Sequence, residues 1–536
     1  MVGSEVSQQA YVQGPTHMVY REWSVGQLLA HAVAHCPERV ALIVPPGADG
    51  RPERQWSYRA LEADARRAAC ALLAHFNPGD RVATWAAGSA DFIVLQLGAA
   101  LAGVVLVLLN PANRSSELKS MLAHSRARGL FLDRGYRKMD NVAVLEEVRP
   151  ALDQLRTVVY MDQWQAFLDA SAPTPLPQVA PDSAALILFT SGSTGAPKAA
   201  VLHHGGIVNS ADLTARHLGF GISRVWLNVL PMFHVGGNVT MTLGVIANLG
   251  THVMLPEFNA DTMLDAMQRY QVNFTMAVPT MMNCILESTR LAATDLSALE
   301  MIVVGGSPVA PELVRRIKQA IGAEVATLMG QTEAGGVMFA TCSGDSEDCV
   351  TASVGRPLGL TEAKIVSTTD GAGTAAVGEI GEICVRARSI MRGYFEMPDK
   401  TAEMIDADGW LHTGDLGYMR PDGYFQITGR LKDMIIRGGE NIYAREVEDV
   451  LIEHPDVAQA VVFGVPDDKW GEQVVAAVIA RAGHTPDTAA LTAFLQTRIA
   501  RHKVPKFWRV VDSFPLNPTG KVQKFLLREQ FMREAS

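Results

Sequence analysis

Between an apolar run that ends at Thr190 and the apolar sequence that resumes at Ala199 lies TSGSTGAPK, Thr190 to Lys198. Gly192 and Gly195 keep no side chain between a ligand and the main chain, so backbone N–H groups can close on a polyphosphate. Ser191, Ser193 and Thr194 add hydroxyl donors, and Lys198 adds a cationic point charge. The spacing is not that of the GxxxxGK[ST] loop. Pro197 precedes the lysine, and Ala199 stands where that loop needs a magnesium-ligating hydroxyl. Phosphate chemistry outside the ordinary kinases and NTPases is implied; a flexible Gly/Ser surface loop is the plain alternative.

Further segments follow in a fixed order: LPMFHVGG (Leu230 to Gly237), VVGGSPV (Val303 to Val309), MGQTEAG (Met329 to Gly335) and HTGDLG (His412 to Gly417). GRLKDMIIRGGENIYAREVE (Gly429 to Glu448) and PLNPTGKVQK (Pro515 to Lys524) complete the series. Together with the Gly/Ser loop they resemble the signatures of the adenylate-forming superfamily, which joins acyl-CoA synthetases, non-ribosomal adenylation domains and firefly luciferase. The resemblance runs from about Ser24 to Leu527.

By that resemblance the substrates are ATP, a carboxylic acid and coenzyme A, with Mg2+ as the metal. ATP would be held by Thr190, Ser191, Gly192, Ser193, Thr194, Gly195 and Lys198, with Gly305, Gly306, Ser307, Met329, Gly330, Gln331 and Ile427 around the nucleotide. Thr332 would donate to the α-phosphate, and Glu333, with Thr194, would hold the metal. Asp415, read as part of a turn, offers oxygens to the ribose hydroxyls, and Arg430 adds charge-assisted donors. Lys521 matches the lysine that contacts carboxylate and α-phosphate during adenylation. His234 gates the acid pocket, and Lys432 is the hinge. Arg437, Gly438 and Gly439, with His234, would border a pantetheine tunnel. The plainer alternatives are an exposed acid at Glu333, an Asx turn at Asp415, a core histidine at 234, a surface lysine at 521 and a simple hairpin at the glycine pair. One departure is Met329, where the family commonly carries an aromatic that stacks on adenine.

The acid pocket would be lined by Phe233, His234, Val278, Gly305, Gly306, Met329, Gly330 and Gly335. The set is apolar and small, with no cation for a second carboxylate. Family members selective for acetate put a bulky aromatic where this chain has Gly330. The expectation is an open floor and a medium- or long-chain, cyclic or aryl monocarboxylate. An enzyme loading a stand-alone carrier protein is the alternative, since no carrier domain follows Lys521 in this sequence.

Positioning these residues calls for alternating strands and helices. AALILFT, HVMLPE, NFTMAVP and LEMIVVGG read as buried strands; Gly237 to Leu249, Ala260 to Tyr270 and Pro311 to Ile321 read as helices between them. The pattern predicts an α/β fold: a large N-terminal domain (1–430) with two parallel-type, helix-covered sheets and a small β-rich subdomain (353–430), a hinge at 431–433 and a small mobile α+β C-terminal domain (434–536). The apolar stretch from Phe92 to Leu109 is long enough for a membrane span, but Gly98, Gly103 and the β-branched second half favour a helix, a turn and a strand.

Lys and Arg number 47 against 56 Asp and Glu, a net charge of -9 that disfavours nucleic acid and anionic membrane as partners. The six cysteines show no CxxC pair and read as reduced thiols. The opening residues lack a basic start and apolar run, so the expected compartment is the cytoplasm; a homodimer is left open.

Overall fold

The apolar stretch at Phe92 resolves as its glycines and β-branched residues dictate. Ser89 accepts from Phe92 N–H and starts a helix over Ala90–Ala102, Gly103 ends it in left-handed backbone, and Val105–Leu108 is a fully buried strand. Among the described residues no helix is long and apolar enough to cross a membrane. The computed structural model describes residues 9–47, 50–190, 197–307, 309–368, 373–438, 440–516 and 522–535.

Val105–Leu108 belongs to a seven-stranded sheet in the spatial order Gly393–Tyr394, Lys198–His203, Ala184–Thr190, Val105–Leu108, Arg81–Trp85, Gly129–Leu132, Thr157–Tyr160. The last five strands run parallel, whereas the first two are antiparallel additions. A nine-stranded sheet has a parallel centre of Glu324–Gln331, Met301–Gly305, Phe274–Ala277, Val225–Asn228, Thr251–Met254 and Val40–Val44, with antiparallel strands at both edges. Helices Val25–His35, Tyr58–Leu73, Ala90–Ala102 and His204–His217 share one apolar core with strands of both sheets, including Leu28, Leu61, Phe92, Leu106 and Leu186. Full burial of each such side chain contributes about 1.5–3 kcal/mol.

The β-rich unit is a five-stranded antiparallel sheet, Tyr11–Gln13, Glu362–Ser367, Gly381–Arg386, Leu411–Met419 and Phe425–Arg430. Its first strand comes from the start of the chain, which the composition shift near Ser353 did not reveal. Three residues are too few for a periodic signal. The helix expected over Gly237 to Leu249 is π-helical across Gly236–Leu243 and α-helical only across Gly244–Ala247. The smaller C-terminal domain has its own sheet, Glu440–Tyr443, Met434–Arg437, Gly471–Ala480 and Val457–Asp467, with Phe507–Val510 parallel to Gly471–Ala480. A 3-10 turn, Leu431–Asp433, joins it to the last strand of the five-stranded sheet.

Candidate active site

Strand Ala184–Thr190 ends at Thr190, and strand Glu324–Gln331 runs into a 3-10 turn, Thr332–Ala334. Thr190 Oγ1 donates to Glu333 Oε1 at 2.9 Å, which ties a strand end of the seven-stranded sheet to one of the nine-stranded sheet. Tyr394 OH donates to the same oxygen at 2.8 Å, and Met391 N–H donates to the Glu333 carbonyl at 2.8 Å. Lys198 holds its ammonium 4.9 Å from the centroid of the Tyr394 ring. A cation, a phenol and a carboxylate therefore stand in a row. Glu333 is buried, not the exposed acid of the plainer reading. A buried carboxylate whose donors are neutral hydroxyls, both on Oε1, suits a hard divalent cation at its other oxygen.

Tyr394 is not among the residues the sequence singled out. Its position comes from pairing: Gly393–Tyr394 is antiparallel to Ala200 and Val201, and that register turns the phenol toward Glu333. Burial first, and the Glu333 carboxylate second, push its phenol above the ordinary tyrosine range, so it remains a neutral donor. Tyr394→Phe removes one hydrogen bond to a charged group, about 1.5–3 kcal/mol. Acid-dependent exchange of pyrophosphate into ATP should fall by about ten- to a hundredfold, with a higher magnesium requirement. A magnesium titration of the exchange rate in the variant checks this.

Asp415 does not lie in a turn. It sits within strand Leu411–Met419, opposite Arg430 of strand Phe425–Arg430, with Arg430 Nε 3.0 Å from Asp415 Oδ1. Gly414 does take left-handed backbone, but pairing with strand Gly381–Arg386 resumes beyond it, from His412 to Leu416 across a register shift. Met329, expected beside adenine, is 7% exposed and packs among Met338, Phe339, Phe425 and the half-buried Ile427. Its thioether is core packing, so it offers a ligand little surface. Gln331 closes the same strand, and its Nε2 is buried with no hydrogen-bond partner among the described residues. Thr332 is half-buried in the turn that carries Glu333.

Gly330 is exposed near the end of strand Glu324–Gln331 and packs its backbone closely against the neighbouring strand. A Cβ there would lie 2.5 Å from Gly336 O and 3.0 Å from Val337 Cα, so close backbone approach requires the glycine. A Cβ at Gly335 would likewise lie 2.3 Å from Ser389 O, and one at Gly305 2.8 Å from Leu328 Cδ1. Gly330→Ala should therefore destabilise the protein, by about 1–3 kcal/mol for overpacking, read as a lower thermal midpoint. Gly306 and Ser307 are exposed beyond strand Met301–Gly305, and Gly306 faces Val278 Cγ1. Phe233 is half-buried against the main core. His234 is exposed, which excludes the core-histidine reading, and its Nδ1 accepts from Gly236 N–H at 3.2 Å.

In the C-terminal domain Lys432 is exposed in the joining turn. Gly438 follows strand Met434–Arg437 in left-handed backbone, and a Cβ there would meet the Trp470 ring at 2.8 Å. Hairpin geometry alone thus accounts for this glycine. Arg437 donates to Gln473 Oε1 and to the His502 carbonyl within the same domain. Ser191, Gly192, Ser193, Thr194, Gly195, Gly439 and Lys521 lie outside the described residues.

Comparison with known proteins agrees with this arrangement. The family model of the AMP-binding enzymes matches residues 29–395, and that of the AMP-binding enzyme C-terminal domain matches residues 446–521. The chain is 32% identical to the human mitochondrial medium-chain acyl-CoA ligase ACSF2, over 99% of this chain and 91% of that protein. It is 34% identical to the fatty acid–[acyl-carrier-protein] ligase ScoC of Streptomyces coeruleorubidus, over 90% of this chain and 93% of that protein. Among solved structures, ATP-bound MatB from Rhodopseudomonas palustris superposes with a TM-score of 0.86 at 28% identity, covering 95% of this chain and 99% of that one. The chain belongs to the AMP-binding enzyme family, as an adenylate-forming enzyme of the acyl-CoA synthetase type.

Proposed function

We propose that this AMP-forming acid–thiol ligase activates a hydrophobic monocarboxylic acid of medium or long chain, or a bulky cyclic or aryl one, and passes the acyl group to coenzyme A. The observation that carries the adenylation half is Glu333, buried and oriented through one oxygen by Thr190 and Tyr394. Glu333, with Thr194 of the Gly/Ser loop, would hold Mg2+, which when bound neutralises charge on the polyphosphate. Lys198 adds a cation for the phosphates, and the Asp415–Arg430 pair supplies an acceptor and donors for the ribose. The substrate carboxylate attacks the α-phosphorus, pyrophosphate leaves, and Lys521 brings the two anions together. Rotation about Lys432 then exchanges Lys521 for the Gly438–Gly439 hairpin, and the thiol displaces AMP from the acyl-adenylate.

The acid class rests on Phe233 and Val278, on the absence of Lys and Arg from the expected lining, and on the medium-chain relative. A panel of acids assayed by AMP release tests it; acetate or a dicarboxylate as best substrate by kcat/KM would overturn it. Loading of a separate carrier protein is the second reading, supported by the carrier-protein ligase at 34% identity. Enzyme, acid and ATP supplied with free coenzyme A or with a holo-carrier decide the acceptor by which thiol is acylated.

A further inference from the structure

On the five-stranded sheet Glu382, Cys384 and His412, none of them part of the Glu333 cluster, bring an oxygen, a sulfur and a nitrogen within 4.8 Å of one another. Pairing of the strands produces this. Glu382 and Cys384 are two apart on strand Gly381–Arg386, and Cys384 is directly opposite His412 on strand Leu411–Met419. Cys384 Sγ and Glu382 Oε2 both address the same ring nitrogen, His412 Nδ1, at 3.5 and 2.8 Å. One imidazole nitrogen carries either one proton or one lone pair, so it cannot form a full hydrogen bond with both. His412 is also the only hydrogen-bond partner of Sγ among the described residues.

We infer that Glu382, Cys384 and His412 form a binding site for one soft divalent cation of the zinc class, bridging the two strands and leaving a fourth position toward solvent. A tetrahedral zinc centre, with Zn–S about 2.3 Å and Zn–N about 2.0 Å, separates its sulfur and nitrogen by about 3.5 Å. The Sγ···Nδ1 distance is 3.5 Å. The oxygen and nitrogen of such a centre lie about 3.3 Å apart, so the carboxylate need withdraw only about half an ångström from Nδ1.

The surroundings orient the donors as an outer shell does. Glu382 Oε1 accepts from Gly414 N–H at 2.9 Å, and His412 Nε2 faces Asp406 Oδ2 at 3.6 Å. Asp406 is itself fixed, its Oδ1 accepting from Asp408 N–H and Trp410 N–H, each at 2.9 Å. Cys384 is fully buried, whereas the His412 side chain is 31% exposed, so an ion has access from the histidine side. Lys364 is paired with Cys384 across the sheet and seated over the Trp410 ring, which Arg386, itself paired with Glu362, also covers. Binding releases the Cys384 thiol proton to solvent, and the dication plus Lys364 then balance the thiolate, Glu382 and Asp406. The inference stands independently of the proposed substrate.

Titration of the full-length protein with Co2+ should produce one equivalent of a thiolate-to-cobalt charge-transfer band with tetrahedral d–d absorption, and Zn2+ should displace it. Cys384→Ser should lose the charge-transfer band and the rise in thermal midpoint that Zn2+ gives the unmodified protein, with adenylation unchanged. Persistence of the band in Cys384→Ser would place the thiolate elsewhere and overturn the site. For a readout independent of how that variant folds, X-ray absorption of the unmodified protein with one equivalent of Zn2+ should show a single sulfur scatterer. A shell of nitrogen and oxygen only would sink the inference.

Discussion

Glu333→Gln should lower acid-dependent exchange of pyrophosphate into ATP by about a hundred- to a thousandfold, the scale on which loss of one preorganised electrostatic group is felt. The substitution suits the geometry. The amide oxygen can still accept from Thr190 Oγ1 and Tyr394 OH, so the link between the two sheets persists. The amide nitrogen then occupies the position of the other carboxylate oxygen, and a donor cannot ligate a metal. Thermal unfolding should be nearly unchanged while exchange collapses, and excess magnesium should not restore it. Full turnover at saturating magnesium would remove Glu333 from the metal site. Tyr394→Phe should show the milder form of the same defect, because it leaves the charge and removes only one of its orienting bonds.

Lys521→Ala should abolish acyl-adenylate formation, a loss of about 3–4 kcal/mol if its cation does the work of one oxyanion donor. Chemically supplied acyl-adenylate plus coenzyme A should still yield thioester, because the proposed rotation removes Lys521 before the thiol attacks. Gly439→Leu should do the reverse, blocking thioester formation while leaving pyrophosphate exchange largely intact. Two assays on two variants give a crossed pattern. If both folded variants lost both half-reactions, one static site would replace domain alternation.

The alternation of buried strands and amphipathic helices was legible where helices carry their own start signals. Pro311–Ile321 begins with proline and has Glu312 in its first turn, and Ala260–Arg269 is capped by Asn259 accepting from Thr262 N–H. The change of texture after Arg430 coincides with the 3-10 turn Leu431–Asp433 that joins the five-stranded sheet to the C-terminal one. Edge strands were harder: Tyr11–Gln13 and Gly393–Tyr394 are too short for a pattern and exist only because a neighbour offers a ladder.

The sequence by itself determined the chemistry this protein is equipped for, since hydroxyls, glycines, a lysine and a carboxylate at motif spacings restrict the ligand whatever surrounds them. Tertiary structure decided which of those residues are free to act. Met329 looks like a pocket residue in the chain, yet it is core packing, and Gly330, though exposed, must be glycine because two strands touch there; burial and backbone approach both depend on elements distant in sequence. Tyr394 became part of the Glu333 cluster for the same reason: 61 residues separate the phenol from the carboxylate it orients, and only sheet pairing brings them to hydrogen-bond distance.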